Sequence, residues 1–214
     1  VSVIVWLRLP AGLGAGASVW IGALLAQANG YPVRPLATVA ATLLALALLI
    51  FMSVQVGCGR QMLSSALGGW GASMAGYALN SGHWAAEVLV LGVLLSLSLF
   101  LVSLSQDFLR LGRDQPAGRL SLISRTGVMG GALLYTLVNI VVIVGLVVCI
   151  LLPATPLPHH QVLWGVILIA VVNQELIKRR LYRQPRYHLR LWGLSAIAYL
   201  TLVGAFLVIA WGRQ

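Results

Sequence analysis

The sequence predicts an all-α fold: a polytopic membrane helical bundle of about seven transmembrane helices with a cytoplasmic N-terminus, a single domain over residues 1–214. Composition is the first reason. Some 60% of the residues are hydrophobic and only 8% are charged, whereas a soluble domain keeps about a quarter of its residues charged. Run length is the second. The apolar stretches approach the ~20 residues that carry a helix across ~30 Å of hydrocarbon, and they lack the alternation of a membrane β-barrel strand. Charge placement is the third: 12 of the 14 basic residues fall on alternate connections, as the retention of Lys and Arg on the cytoplasmic side requires.

The elements follow in order. The first apolar run, about Ala11 to Ala28, comes after Arg8 and has no small-residue cleavage pattern, so it reads as a span rather than a cleaved signal. Gly30, Tyr31, Pro32 and Pro35 turn the chain into the second run, Leu36 to Gly57. The third, Ser64 to Leu79, is short and glycine-rich. Its Gly68, Gly69, Gly71, Ala72 and Gly76 let the helix approach its neighbours closely, and packing is the preferred role over a ligand groove. Asn80, Ser81 and Gly82 then turn into the fourth run, Ala85 to Ser105. The fifth, Val128 to Leu152, is joined by the proline-bearing hairpin PATPLPHHQ to a short sixth, Val162 to Val172, extended at either end. The seventh spans Leu191 to Trp211. Trp6, Trp20, Trp84, Trp164, Trp192 and Trp211 lie mostly near run ends, as an interfacial aromatic belt does.

Seven spans place Arg8, Arg60, Arg110, Arg113, Arg119, Arg125, Lys178, Arg179, Arg180, Arg183, Arg186 and Arg190 inside, and only Arg34 and Arg213 outside. The expected location is a bacterial cytoplasmic membrane. The net charge of +10 does not indicate nucleic acid, because the basic residues sit between spans with no aromatic-basic module or helix-turn-helix. Anionic lipid headgroups account for it. The densest run, KRRLYRQPRYHLR, is a topology anchor, with a docking strip for an acidic partner subunit as the sharper alternative. Cys58 and Cys149 belong to opposite ends of the bundle, about 30 Å apart, so no disulfide is expected. His83, His159, His160 and His188 fall in loops or at span ends and no metal-ligand spacing occurs, so neither a haem nor a chlorophyll site is expected. Asn139 and Gln55 are the polar residues within spans, read as interhelical hydrogen-bonding groups.

Two of the four acidic residues occupy the segment Gln106 to Leu122, QDFLRLGRDQPAGRLSL, among three arginines at the inner edge of the fourth run, with Arg125 just beyond it. Ionisable groups beside a membrane span are costly unless hydrated or paired, so this is the default place for a site. The candidates are Asp107 and Asp114, with Arg110, Arg113, Arg119 and Arg125 as ligands for a diphosphate or an anionic lipid.

This segment resembles the second acidic motif of the UbiA superfamily of intramembrane aromatic prenyltransferases, especially the naphthoate branch of menaquinone synthesis. There a span ends in N-D-x-x-D-x-x-x-D, followed by G-[KR]-x-[TS]-L, a basic residue and a glycine. Here the run is Gln106, Asp107, Arg110 and Asp114, then Gly118, Arg119, Leu120, Ser121 and Leu122, then Arg125 and Gly127. WLRLPAGLGAGASVWIGALLA resembles the family's first span, and the likeness extends over most of the chain. It implies a helical bundle in which carboxylates hold magnesium on a prenyl diphosphate while basic residues stabilise the leaving group.

The departures point away from catalysis. Arg110 stands where the family has its middle aspartate, and Gln106 replaces the asparagine. Asp107 and Asp114, seven residues apart, are ~10 Å apart along a helix, too far to chelate one ion. Asp107 with Arg110 or Arg113, and Asp114 with Arg110, are expected to close as local salt bridges. The first acidic motif is replaced by QVGCGRQMLSSALGG, which has Gln55, Arg60 and Gln61 but no carboxylate. Nine spans are usual in the family, so loss of two consecutive helices after Gly57 accounts for seven and leaves a cleft open to the bilayer, for lipid or a neighbouring subunit to cover. Glu87 and Glu175 lie too far off to rebuild the site.

The expectation is therefore a non-catalytic UbiA-like subunit scaffolding a larger quinone-using membrane complex, a photosynthetic reaction centre or respiratory assembly. The alternatives are a divergent magnesium-dependent prenyltransferase acting on an aromatic quinone precursor, and a small lipid-handling or transport protein. Magnesium belongs only to the catalytic alternative; a quinone, lipid or carotenoid is the class of molecule such a bundle would hold. The expected partners are the lipid bilayer and the membrane-protein subunits of that complex.

Overall fold

Seven helices make up the described chain, in the order the apolar runs predict. They are α1 Ser2–Ala28, α2 Pro35–Val54, α3 Ala72–Ser81 entered through a π-helical turn Leu67–Gly71, α4 Ala86–Asp114, α5 Leu122–Leu151, α6 Gln161–Lys178 and α7 Pro185–Trp211. The computed structural model describes the backbone of residues 2–54, 63–114, 121–151, 161–179 and 183–213, and side chains within 10–47, 63–110, 121–151, 163–179 and 183–213.

Among the described residues, four helices are long and apolar enough to cross a membrane: α1 over Pro10–Ala28, α4 over Ala86–Arg110, α5 and α7. The chain is thus an all-helical, membrane-integral protein. As the sequence predicts, the third and sixth elements are shorter. Other helices outrun their apolar stretches. α4 continues beyond Ser105 to Asp114, and α7 starts at Pro185, whose fixed φ suits the first turn. Gly127 breaks α5 near its start with φ 76° and ψ 164°, a backbone a side chain would strain.

Helix ends fall into two groups. Asn29 after α1, His83 and Glu87 around the α3–α4 turn, and Arg213 after α7 meet at one end through side-chain contacts. At the other end Phe108 of α4 packs on His188 of α7, ring centroids 5.8 Å apart. Successive helices therefore run up and down, and the described basic residues segregate with them. Arg110, Arg125, Lys178, Arg179, Arg183, Arg186 and Arg190 belong to the Phe108 end, and Arg34 and Arg213 to the other.

α1, α4 and α7 form the centre, with α2 and α3 on one flank and α5 and α6 on the other. In lipid there is little hydrophobic drive for helices to associate, so close packing and interhelical hydrogen bonds hold them. The α1–α3 crossing rests on two glycines: a Cβ on Gly22 would strike the Ser73 carbonyl, and one on Gly76 the Val19 carbonyl. On the far side of α3, the hydroxyl of Ser96 from α4 accepts from Trp70 N–H at 2.7 Å and donates to Ala66 O at 3.3 Å. Those two backbone groups would bond each other in an α-helix, so the inserted hydroxyl accounts for the π turn.

Candidate functional site

The acidic segment is the end of α4. Because the helix continues through Asp114, Asp107, Arg110 and Asp114 lie at intervals of three and four residues along one face. Asp107 is buried, at 7% exposure among the residues around Phe108 and Leu104, and Arg110 one turn on is half-buried. One terminal guanidinium nitrogen of Arg110, Nη2, is enclosed without a hydrogen-bond acceptor among the described residues. Ser121 opens α5 beside this end, its hydroxyl accepting from Ser124 N–H at 3.2 Å. Arg125, on the opening turn of α5, is exposed. Of the predicted cluster, therefore, Asp107 and Arg110 share a face of α4 and Arg125 stands outside it. The side chains of Arg113, Asp114 and Arg119, and the salt bridges expected of them, lie outside the described residues, as do those of Arg8, Gln55, Cys58, Arg60, Gln61, His159, His160 and Arg180. Among the described residues no three His, Cys, Asp or Glu side chains converge as a metal site would need.

The other end of α4 holds an arrangement the sequence reading missed. Glu87 accepts from Asn29 Nδ2 at 3.2 Å through one carboxylate oxygen and from Arg213 at 2.9 Å through the other. Asn29 also donates to Tyr77 Oη at 3.0 Å. Tyr31 Oη and His83 Nε2 are 2.9 Å apart, and Asn80 Oδ1 accepts from Arg34 N–H at 2.6 Å. The side chains tie the starts or ends of α1, α2, α3, α4 and α7 together. One signal was present: Glu87 is the sole acidic residue the predicted topology puts at that end, facing two arginines.

Between the ends, a polar set joins α5, α6 and α7. Tyr135 Oη lies 2.7 Å from Ser195 Oγ, which donates to Leu191 O. Asn139 donates to Ala170 O at 2.9 Å and to Gln174 Oε1 at 3.1 Å, bearing out its interhelical role. The gap among Tyr135, Asn139, Asn173 and Ser195 is only about 20 Å³, too small for an organic ligand.

A ligand-sized space lies elsewhere among the described residues. A groove of about 700 Å³ lies where α2 diverges from α3, with Val19 of α1 at its floor. Its walls include Ala37, Ala41 and Ala45 of α2, Gly68 and Gly71 of the π turn, and Ala72 and Ala75 of α3, and none of the described residues lining it is charged or a histidine. The small residues of the third element thus do two things: one face packs on α1 and α4, and another lines this groove.

Outside the apolar stretch of α6, Glu175 accepts from Arg179 at 2.9 Å. That hydrogen bond, aided by the nearby Lys178 and Arg179 charges, holds the carboxyl below its ordinary value. Compared with known proteins, the sequence matches no protein-family model and no curated protein.

Proposed function

We propose that this chain is a non-catalytic, UbiA-like integral membrane subunit, with seven spans, a cytoplasmic N-terminus and an outer C-terminus, that scaffolds a larger quinone-using complex. The location proposed is a bacterial cytoplasmic membrane, and the host a photosynthetic reaction centre or respiratory assembly. One observation supports the non-catalytic part: among the described residues, a groove large enough for a hydrophobic substrate and the buried Asp107 are separate. None of the described residues lining the groove between α2 and α3 is ionisable, while Asp107 is buried near the end of α4 one turn from an arginine. Prenyl transfer would need carboxylates, metal and diphosphate beside the hydrophobic substrate. The largely apolar and exposed α5, only 22% buried against 67% for α4, supports the scaffold part, since it offers a long surface to lipid or to another subunit.

The groove favours one second reading, a lipid-handling protein, because its volume and apolar walls suit a hydrocarbon chain. Extraction of the native membrane in mild detergent, followed by native mass spectrometry, separates the two. The scaffold proposal expects co-migration with a stoichiometric quinone-using complex; migration of the chain alone with bound lipid would replace it with the second.

A further inference from the structure

We propose that the opening of α7 is a headgroup site for anionic phospholipid, built by Arg183, Arg186, Tyr187 and Arg190; this does not rest on the scaffold proposal. Arg186 and Arg190 both place their guanidinium groups over the Tyr187 ring, 5.0 and 5.4 Å from its centroid. At 3.6 residues per turn these three positions fall within about 100° of arc. The adjoining face, His188 and Leu191, turns into the core. The ring therefore holds two like charges side by side on the outward edge of a helix fixed by its inner face, and exposed Arg183 adds a third just before the helix begins.

Among the described residues no carboxylate pairs with Arg183, Arg186 or Arg190. The chain has four acidic residues. Glu87 is bonded to Arg213 at the opposite end and Glu175 to Arg179, while Asp107 and Asp114 belong to α4. Arg186 Nε donates to the neutral Gln184 Oε1, at 3.0 Å. Paired guanidinium forks are matched to the oxygens of a phosphate, which an external anion would bring.

Position selects the lipid. The patch occupies the first two turns of a helix of membrane-crossing length, with Leu189 60% exposed on the same turns. A molecule reaching it meets cationic forks at headgroup depth and an apolar side chain beside them, which fits a phosphodiester joined to acyl chains better than a free ion or a water-soluble acidic segment.

The test uses the full chain in detergent, titrated with phosphatidylglycerol or phosphatidylcholine and read by native mass spectrometry. Wild type is expected to bind phosphatidylglycerol more tightly. Arg186→Gln with Arg190→Gln is expected to weaken it about fivefold per arginine, while Arg186→Lys with Arg190→Lys, keeping charge but losing the fork and the stacking, gives a smaller loss. Arg34→Gln at the other end leaves the affinity unchanged, and equal melting curves in neutral detergent establish that each variant is folded. Three results would overturn the proposal: equal affinity for the two lipids, a double glutamine variant that binds as wild type, or displacement of the lipid by an equal concentration of inorganic phosphate. Crosslinking of position 186 in native membranes to an acidic subunit instead of lipid would overturn it as well.

Discussion

Glu87 and Asp107 stand 20 residues apart on the same helix, about 30 Å from end to end, and their surroundings differ in kind. Glu87 is half-buried and gathers partners from distant parts of the chain, Asn29 beyond α1 and Arg213 beyond α7. Asp107 is buried, and the charged neighbours that the sequence offers it, Arg110 and Arg113, are on its own helix. The first carboxylate fastens separate helices to one another. The second is part of the closing turns of α4, packed where Phe108 meets α7. A bundle built this way is fastened by a polar network at one end and by the packing of Phe108 on His188 at the other.

Breaking the buried end should cost most. Asp107→Ala, which removes a buried carboxylate from the packed end of α4, is expected to destabilise the bundle by about 2–3 kcal/mol, measured as a lowered midpoint in detergent unfolding. Asp107→Asn should cost less, since it keeps the shape and hydrogen-bonding capacity of the side chain. At the opposite end Glu87→Ala removes two hydrogen bonds to a partly solvated carboxylate and is expected to cost about 1–2 kcal/mol. Combined with Arg213→Ala in a double-mutant cycle, it should show a coupling of about 1 kcal/mol; additivity would mean that the two residues do not act as a pair. Between the ends, Tyr135→Phe deletes the bond to Ser195 and is expected to cost about 1 kcal/mol.

The smallest effect belongs to Glu175. Its folded-state pKa lies below the ordinary 4.5, so its contribution is present above that value and lost as the pH falls through the lowered one. Because the pair is exposed, Glu175→Gln should leave the melting temperature unchanged at neutral pH, and acid titration should show no separate transition from this group.

This contrast also explains what could be read in advance. The helices were legible because apolar run length and positive charge are local properties of the chain, and Asp107 with Arg110 was legible as a spacing of three. Asn139 was legible as a polar residue in an apolar span that had to find a partner. The Glu87 contacts were not, because they join residues 58 and 126 positions apart. Nor was the π turn of α3, made by Ser96 from the next helix. Helix ends were misplaced where charged residues continue the helix past the apolar stretch, as at Asp114 and Pro185. The groove between α2 and α3 was not legible either; the sequence marked its walls only as small residues suited to packing.

The non-catalytic reading is tested most directly by incubating the purified full chain with a prenyl diphosphate and an aromatic quinone precursor, with and without magnesium, alongside Asp107→Asn. The account predicts no prenylated product above background in either preparation. Magnesium-dependent product from the wild type that disappears in Asp107→Asn, with both proteins equally folded, would contradict it and make Asp107 a catalytic residue.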